Sequence, residues 1–375
     1  MVADTKRLVA GDKRTGEDSG VLPRRQRDDD MSRVYVGMSG GVDSSLAAAL
    51  LVEAGHDVTG VYMKNWTRDL PGMVCPWAED LADAKRVAVH LGIPFKVYDF
   101  QAEYKQKVVD YMIAEYQAGR TPNPDIMCNQ EVKFKLFLET ALEDGADYIA
   151  TGHYARVKDG TLLKAADEAK DQTYFLYRVT SDALSKTLFP LGEYTKPVVR
   201  EMAQERGLIT ARKKDSQGIC FVGSVGIKEF LSQFVTTKPG PIIDRDNAQT
   251  VGHHDGAIYY TIGQRHGLNI GGGLPYYVIG KDMDKNEVYV SRNLNDDALW
   301  KETVNVADIH WINEPPEQGT DVHVRLRHQG ALLPARLAGD VLHLTDPQRA
   351  VASGQSAVLY QGDTVLGGAI IAGQI

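Results

Sequence analysis

The sequence predicts an α/β protein, with a doubly wound Rossmann-like domain followed by a small central domain and a C-terminal β-barrel. Three observations point there. Continuous apolar runs alternate with helix-period segments from about residue 31 to 225. Glycine-punctuated short runs follow, and period-2 alternation dominates from about residue 297.

At 375 residues the chain exceeds one ordinary core, since domains run to ~100–200 residues. Its 43% hydrophobic and 25% charged content is that of a globular protein. No apolar run approaches the ~18 residues of a membrane span and no apolar signal core opens the chain, so a cytoplasmic location without membrane contact is expected. Cys75, Cys128 and Cys220 cannot form a complete disulfide framework, and no Cys/His spacing suggests a protein-held metal. The net charge of -8 argues against a broad nucleic-acid surface, not against a local patch.

Residues 1–30 combine Arg24, Arg25 and Arg27 with Asp28 to Asp30, lack apolar periodicity, and are expected to be a disordered extension. Residues 31–225 should then form the α/β domain. Strands are expected over 34–38, 58–63, 95–100 and 148–151, with helices over 44–54, 78–91, 103–116 and 131–142. Leu81, Ala84, Val87, Ala88 and Leu91 share one helical face, while the strands are apolar throughout, as buried parallel strands require. Ligands of such a domain bind at the C-terminal strand ends. Residues 226–296 carry short β-branched or aromatic runs at 257–262 and 276–279. Residues 297–375 read as the barrel, with Val322, Val324 and Leu326 alternating against His323, Arg325 and Arg327.

Val34 to Ser45 read VYVGMSGGVDSS: a strand, a turn on Ser39, Gly40 and Gly41, then a helix start at Asp43, Ser44 and Ser45. Adjacent glycines let backbone amides approach an anion, and a fresh helix N-terminus adds N–H donors and a positive dipole end. The GxxxxGK[ST] lysine loop is absent. A plain glycine-serine turn, or a loop for another anion, are the alternatives. SGGVDS between strand and helix favours ATP, and it resembles the loop of enzymes that split ATP into AMP and pyrophosphate.

Cys128 lies in TPNPDIMCNQ, where prolines, asparagine and aspartate fix an ordered loop before a helix. A thiolate there can be stabilised by the helix dipole, and Asp125 could act on protons. The competing reading is a small buried hydrophobe with a capping aspartate. Cys220 lies in KKDSQGICFVG, where Lys213 and Lys214 favour thiolate, although Ile219, Phe221 and Val222 also suit a core strand. Cys75 has no adjacent base or cation and receives no role.

GMSGGVDSS, Met63-Lys64-Asn65-Trp66, AGRTPNPDIMCN, ATGHYAR, KDQTYFL, DSQGICFVG, TIGQRHGL and SGQSAVLY occur in the order seen in the tRNA-specific 2-thiouridylase family, which the chain resembles from about Met31 onward. Residues 1–30 extend beyond the family's usual start. The resemblance implies an ATP-pyrophosphatase fold and replacement of oxygen by sulfur at C2 of the wobble uridine in tRNAs for lysine, glutamate and glutamine. ATP would adenylate that oxygen with Mg²⁺ expected, and a persulfide-carrying protein would supply sulfur. Cys220 would carry the persulfide, Cys128 would be the catalytic nucleophile, and the two would form a transient disulfide. Asp125 would assist proton transfer. ATP would lie on Gly37, Met38, Ser39, Gly40, Gly41, Val42, Asp43 and Ser44, with Met63 on adenine and Gly152 giving backbone contact. Asn123, Pro124 and Asp125 would surround the target base. His153, Lys170, Asp171, Gln172, Arg327, His328 and Gln355 would contact tRNA; each taken alone also suits a solvated side chain. Arg325 and Arg327, expected on one strand face, would add to a path for phosphates. Two rivals stand beside this reading: an amide- or C–N-forming synthetase of the same ATP-splitting type, and a nucleotide-sensing module without turnover.

Overall fold

Strand β1 (Arg33–Gly37) is apolar on both faces and takes the centre of a five-stranded parallel sheet. The computed structural model describes residues 31–69, 75–215, 226–271 and 274–373. On one side of β1 lie β2 (Asp57–Lys64) and β3 (Phe95–Asp99); on the other lie β4 (Tyr148–Ala150) and the short strand Thr187–Leu188. Every neighbouring pair is parallel. Val34 and Val36 pack on α1 (Val42–Glu53), α2 (Trp77–Leu91) and the helix Lys196–Glu205, while Tyr35 packs on the opposite layer with Val108, Met112, Phe134 and Phe137. Helices on both faces make the sheet doubly wound, as expected.

The turn chemistry explains the boundaries. α2 ends at Gly92 with φ 69°, the left-handed C-cap that favours glycine. Asn123 caps the helix after it by accepting a hydrogen bond from the Asp125 amide, and Pro124 takes the first helical position, where its missing N–H costs nothing. The helix expected from residue 131 therefore starts at Pro124. It runs through a π-helical stretch, Cys128–Leu136, into Phe137–Glu143. Cys128 sits inside the helix rather than in a loop before it.

The central unit is a four-stranded sheet of Gly240–Asp244, Gln249–His254, Tyr277–Asp282 and Glu287–Ser291. The run at 257–262 is not a strand: Ala257–Tyr259 forms one 3₁₀ turn. Beyond it Trp300–Trp311, Asp321–Arg325, Leu333–Ala338, Val341–Arg349, Ser356–Gln361 and Thr364–Ile371 make six antiparallel strands, and the first pairs with the last to close the barrel. Closure removes the edge strands.

One expectation of the barrel needs correction. Arg325 does not share an exposed face with Arg327: it is 9% exposed, and its Nη1 donates to Asp171 Oδ2 at 3.1 Å. Asp171 is 3% exposed and also accepts from the amide and hydroxyl of Thr173. Alternation fails at Arg325 because the ion pair with the first domain, not water, receives the guanidinium. Removing one partner leaves a buried charge unpaired, so Arg325→Met should cost ~3–5 kcal/mol in urea unfolding; an unchanged midpoint would show the pair to be idle.

Candidate functional site

Three adjacent strand ends build the site: the loop after β1, the end of β2, and the turn after β4. Gly40 has φ 76°, and a Cβ there would lie 2.3 Å from the Asp80 carbonyl oxygen on α2. A Cβ on Gly152 would sit 2.6 Å from the Ser44 amide nitrogen. Both glycines are thus fixed by close backbone approach. Gly41 is the N-cap of α1 and no side chain caps that helix, so its first amides are left for an anion. Ser44 shapes the loop from below, its hydroxyl accepting from the Ser39 amide at 3.1 Å. Met38 and Val42 are core side chains, so only their backbone can face a ligand. The Met63 methyl leans over Gly37, 2.9 Å from where a Cβ would stand.

Beside this loop is an ionic cluster that sequence reasoning missed. Lys196 Nζ donates to both oxygens of Asp43 at 2.7 Å and pairs with Asp215 at 2.9 Å. Tyr154 adds a hydroxyl donor to Asp43 at 2.8 Å, while Lys170 and Arg200 also hold Asp215. Burial opposes ionisation of Asp215, but Lys196 and Lys170 outweigh it and bring its pKa down to about 2. The only sequence hint was the helix start YTKP; the partners are 153 positions apart, so no local pattern joins them.

Cys128 is 3% exposed, its neighbour Asn129 2%. The Asn129 amide group donates to the Phe175 carbonyl at 3.1 Å, while its buried Oδ1 has no hydrogen-bond partner among the described residues. Burial raises the Asp125 carboxyl above the ordinary range, with Lys133 partly offsetting it, which suits a group that must hold a proton. Cys220 lies outside the described residues. Lys213, expected to support its thiolate, is spent on Asp80 and Asp83 at 2.7 Å each. Cys75 is buried, donates to the Trp66 carbonyl and has its thiol pushed up by burial.

Comparison with known proteins matches residues 32–224 to a tRNA methyl transferase HUP domain, 228–292 to a tRNA methyl transferase PRC-barrel domain and 301–371 to an aminomethyltransferase beta-barrel domain. The tRNA-specific 2-thiouridylase MnmA of Bacillus subtilis (strain 168) is 47% identical over 352 residues, covering 91% of this chain and 95% of its own. The chain belongs to the tRNA-specific 2-thiouridylase family. Family membership makes it a sulfurtransferase enzyme. Solved structures similar to it include a 4-thiouridine synthetase–RNA complex with bound ATP (18% identity, TM-score 0.37, 54% of this chain and 50% of that one). NMN synthetase from Francisella tularensis is another (16%, TM-score 0.33, 52% and 68%). At those scores neither neighbour bears on the chemistry of this 2-thiouridylase-family site.

The residues expected to touch tRNA are not equally placed for it. Arg327 is exposed. Lys170 is 41% exposed at its side chain but tied to Asp215. His153 is half-buried beside Phe134 and Phe189 and shares a 2.7 Å hydrogen bond with the Thr151 hydroxyl; burial, then Lys133, hold it neutral. His328 stacks on Phe175 with ring centroids 4.3 Å apart, and burial lowers its pKa. Gln172 accepts from the Tyr154 amide, and Gln355 donates to the Thr121 carbonyl at 2.7 Å. Asp171 is filled by Arg325, so its carboxylate holds the loop together instead of facing a ligand.

Two outcomes check this geometry. Gly152→Ala should weaken ATP binding by roughly ten-fold or more, read by calorimetry, because the methyl must displace the Ser44 backbone. For Asp215 the sign follows from a depressed native pKa: its contribution is complete above the unfolded value of ~3.9 and fades as pH falls. The stability gap between the native protein and Asp215→Asn, from urea midpoints, should hold steady above pH ~4 and close as the pH drops to about 2.

Proposed function

We propose that the protein carries out ATP-dependent 2-thiolation of the wobble uridine (position 34) in tRNAs for lysine, glutamate and glutamine. What supports this most is one combination in a single domain: a glycine-walled, uncapped helix N-terminus on the strand ends, and, in the helical layer on the opposite face of the sheet, a buried cysteine and an aspartate whose pKa is raised. Residues 31–225 would activate and thiolate, with 226–296 and the barrel of 297–375 docking the tRNA.

In this reading the α1 amides, Gly40 and Gly41 orient ATP so that the uridine O2 attacks its α-phosphorus and pyrophosphate leaves, while Lys196 holds Asp43 of the loop in place. Mg²⁺ would supply charge neutralisation on the phosphates. Among the described residues no cluster of three His, Cys, Asp or Glu could hold a metal, and Asp43 is already shared by Lys196 and Tyr154, so the ion would be carried mainly by ATP itself. Asn123 and Pro124 wall the target base, a splayed-out anticodon uridine. Asp125 takes or returns the proton there.

The terminal sulfur of a Cys220 persulfide, loaded by a persulfide-carrying protein, then attacks C2, and the oxygen departs with AMP. Cys128 thiolate attacks Cys220 sulfur, the old S–S bond breaks toward the thiouridine, and a Cys128–Cys220 disulfide remains for an external thiol to reduce. A reducing cytoplasm suits that last step. No described helix is long and apolar enough to cross a membrane.

The test is incubation with ATP, Mg²⁺, a persulfide-loaded donor protein, a reducing thiol and unmodified tRNA, seeking AMP and 2-thiouridine together. Both should appear in equal amounts with the native protein, while Cys128→Ser and Cys220→Ser should drop thiouridine by a factor of ~10³ or more when a persulfide protein is the donor. AMP without thiouridine on authentic tRNA would sink the thiolation reading. Full thiouridine formation in both serine variants would overturn the roles given to Cys128 and Cys220.

A further inference from the structure

We propose that Thr121 is a positioning residue for the thiolation site, through which the central sheet and the C-terminal barrel jointly set the place of Asn123, Asp125 and Cys128. The proposal rests on the thiolation reading. Thr121 spends all three of its polar groups on the other two units. Its amide donates to the Ser353 carbonyl at 2.8 Å and its carbonyl accepts from Gln355 Nε2 at 2.7 Å, both in the barrel. Its hydroxyl lies 2.9 Å from that of Thr261, in the TIGQRHGL segment of the central unit, a segment that carries no other assigned role.

The contact is close enough to transmit position. Gly354 has φ 88°, and a Cβ on it would fall 2.8 Å from the Thr121 nitrogen, so the barrel backbone lies against the loop. The central unit approaches in the same way: a Cβ on Gly119 would meet Met283 Cγ at 2.8 Å. The two outer units also meet each other, because a Cβ on Gly263 would stand 2.3 Å from that of Ala350. The Thr261 turn is braced by Gln264, whose Oε1 accepts from the Thr261 amide at 3.1 Å.

The chain beyond Thr121 is stiff. Pro122 is buried, Asn123 caps the helix through the Asp125 amide, Pro124 fixes the first helical turn, and Cys128 comes one turn later. A displacement at Thr121 therefore has no flexible linker in which to be absorbed before it reaches the base-facing carboxylate and the thiol. Each outer unit alone grips only part of Thr121; together they fix it from three directions. A tRNA seated across both would hold the loop in register with the base to be thiolated.

The experiment uses the full-length protein with ATP, Mg²⁺, a persulfide-loaded donor protein, a reducing thiol and an unmodified tRNA transcript. Thr121→Val, Thr261→Val and the double variant are compared, with Thr121→Ser as the conservative control, and melting temperature is recorded for each. Expected is a fall in kcat of about ten-fold in each single variant with KM for tRNA within about two-fold of native. The double variant should be no worse than either single, since the same bond is removed once, and Thr121→Ser should restore most of the rate. The proposal is overturned if Thr121→Val keeps native kcat, if the two single effects multiply, or if serine is as impaired as valine. Should Thr121→Val not fold, Thr261→Val in the other unit decides by the same split. Absence of thiolation by the native protein overturns the thiolation reading as well; native thiolation beside an unaffected Thr121→Val overturns this proposal alone.

Discussion

The close backbone crossing at the strand ends governs the site. Gly152 must pass within touching distance of the Asp43–Ser44 peptide, and Gly40 within touching distance of Asp80, for the α1 N-terminus to open toward solvent. A parallel sheet with β1 flanked by β2 and β4 makes that possible, because its loops emerge on one edge and separate between β1 and β4. Any side chain larger than hydrogen at these glycines would collide with the Asp80 or Asp43–Ser44 backbone and force the loops apart. The rest of the domain, including the two helical layers, can be regarded as the support that keeps three loop backbones at this spacing.

Charge completes what sterics begin. An uncapped helix end offers a partial positive charge that falls off within a turn, whereas ATP brings several negative charges. Lys196, with its side chain 10% exposed, adds a full charge, but it is lodged between Asp43 and Asp215 and so is compensated before any nucleotide arrives. That arrangement keeps a buried cation from being left unpaired in the free protein. It also ties the phosphate loop to Asp215, the last described residue before the Cys220 segment, through one ammonium group.

The strand–loop–helix unit is legible in the sequence because its signals are local. SGGVDS needs only its flanking strand and helix to be read, and the face of Ala84, Val87 and Ala88 is a helical period. The features that stay concealed are tertiary. Alternation places Arg325 on an exposed face, because nothing nearby in the chain announces Asp171 as its partner 154 positions away. Lys213 looks like support for a thiolate, yet Asp80 and Asp83 claim it. The start of the cysteine helix is obscured for another reason: two prolines and an asparagine suggest a loop, yet an asparagine cap followed by proline at the first position is also how a helix begins.

The same distinction between local and distant bonding separates the residues expected to bind tRNA. Arg327 projects from the barrel and forms no ion pair among the described residues, as a phosphate contact requires. Asp171 has its carboxylate engaged by Arg325, while Gln172 Oε1 and Gln355 Nε2 are engaged by the Tyr154 amide and the Thr121 carbonyl. An atom so occupied can meet a nucleotide only by giving up a bond whose loss leaves its partner exposed to desolvation cost. Their internal bonds fix the shape of the surface around them. An acidic net charge is compatible with the proposed tRNA contact, because under that reading phosphate affinity would be left to a few exposed cations such as Arg327 while the internal bonds set geometry.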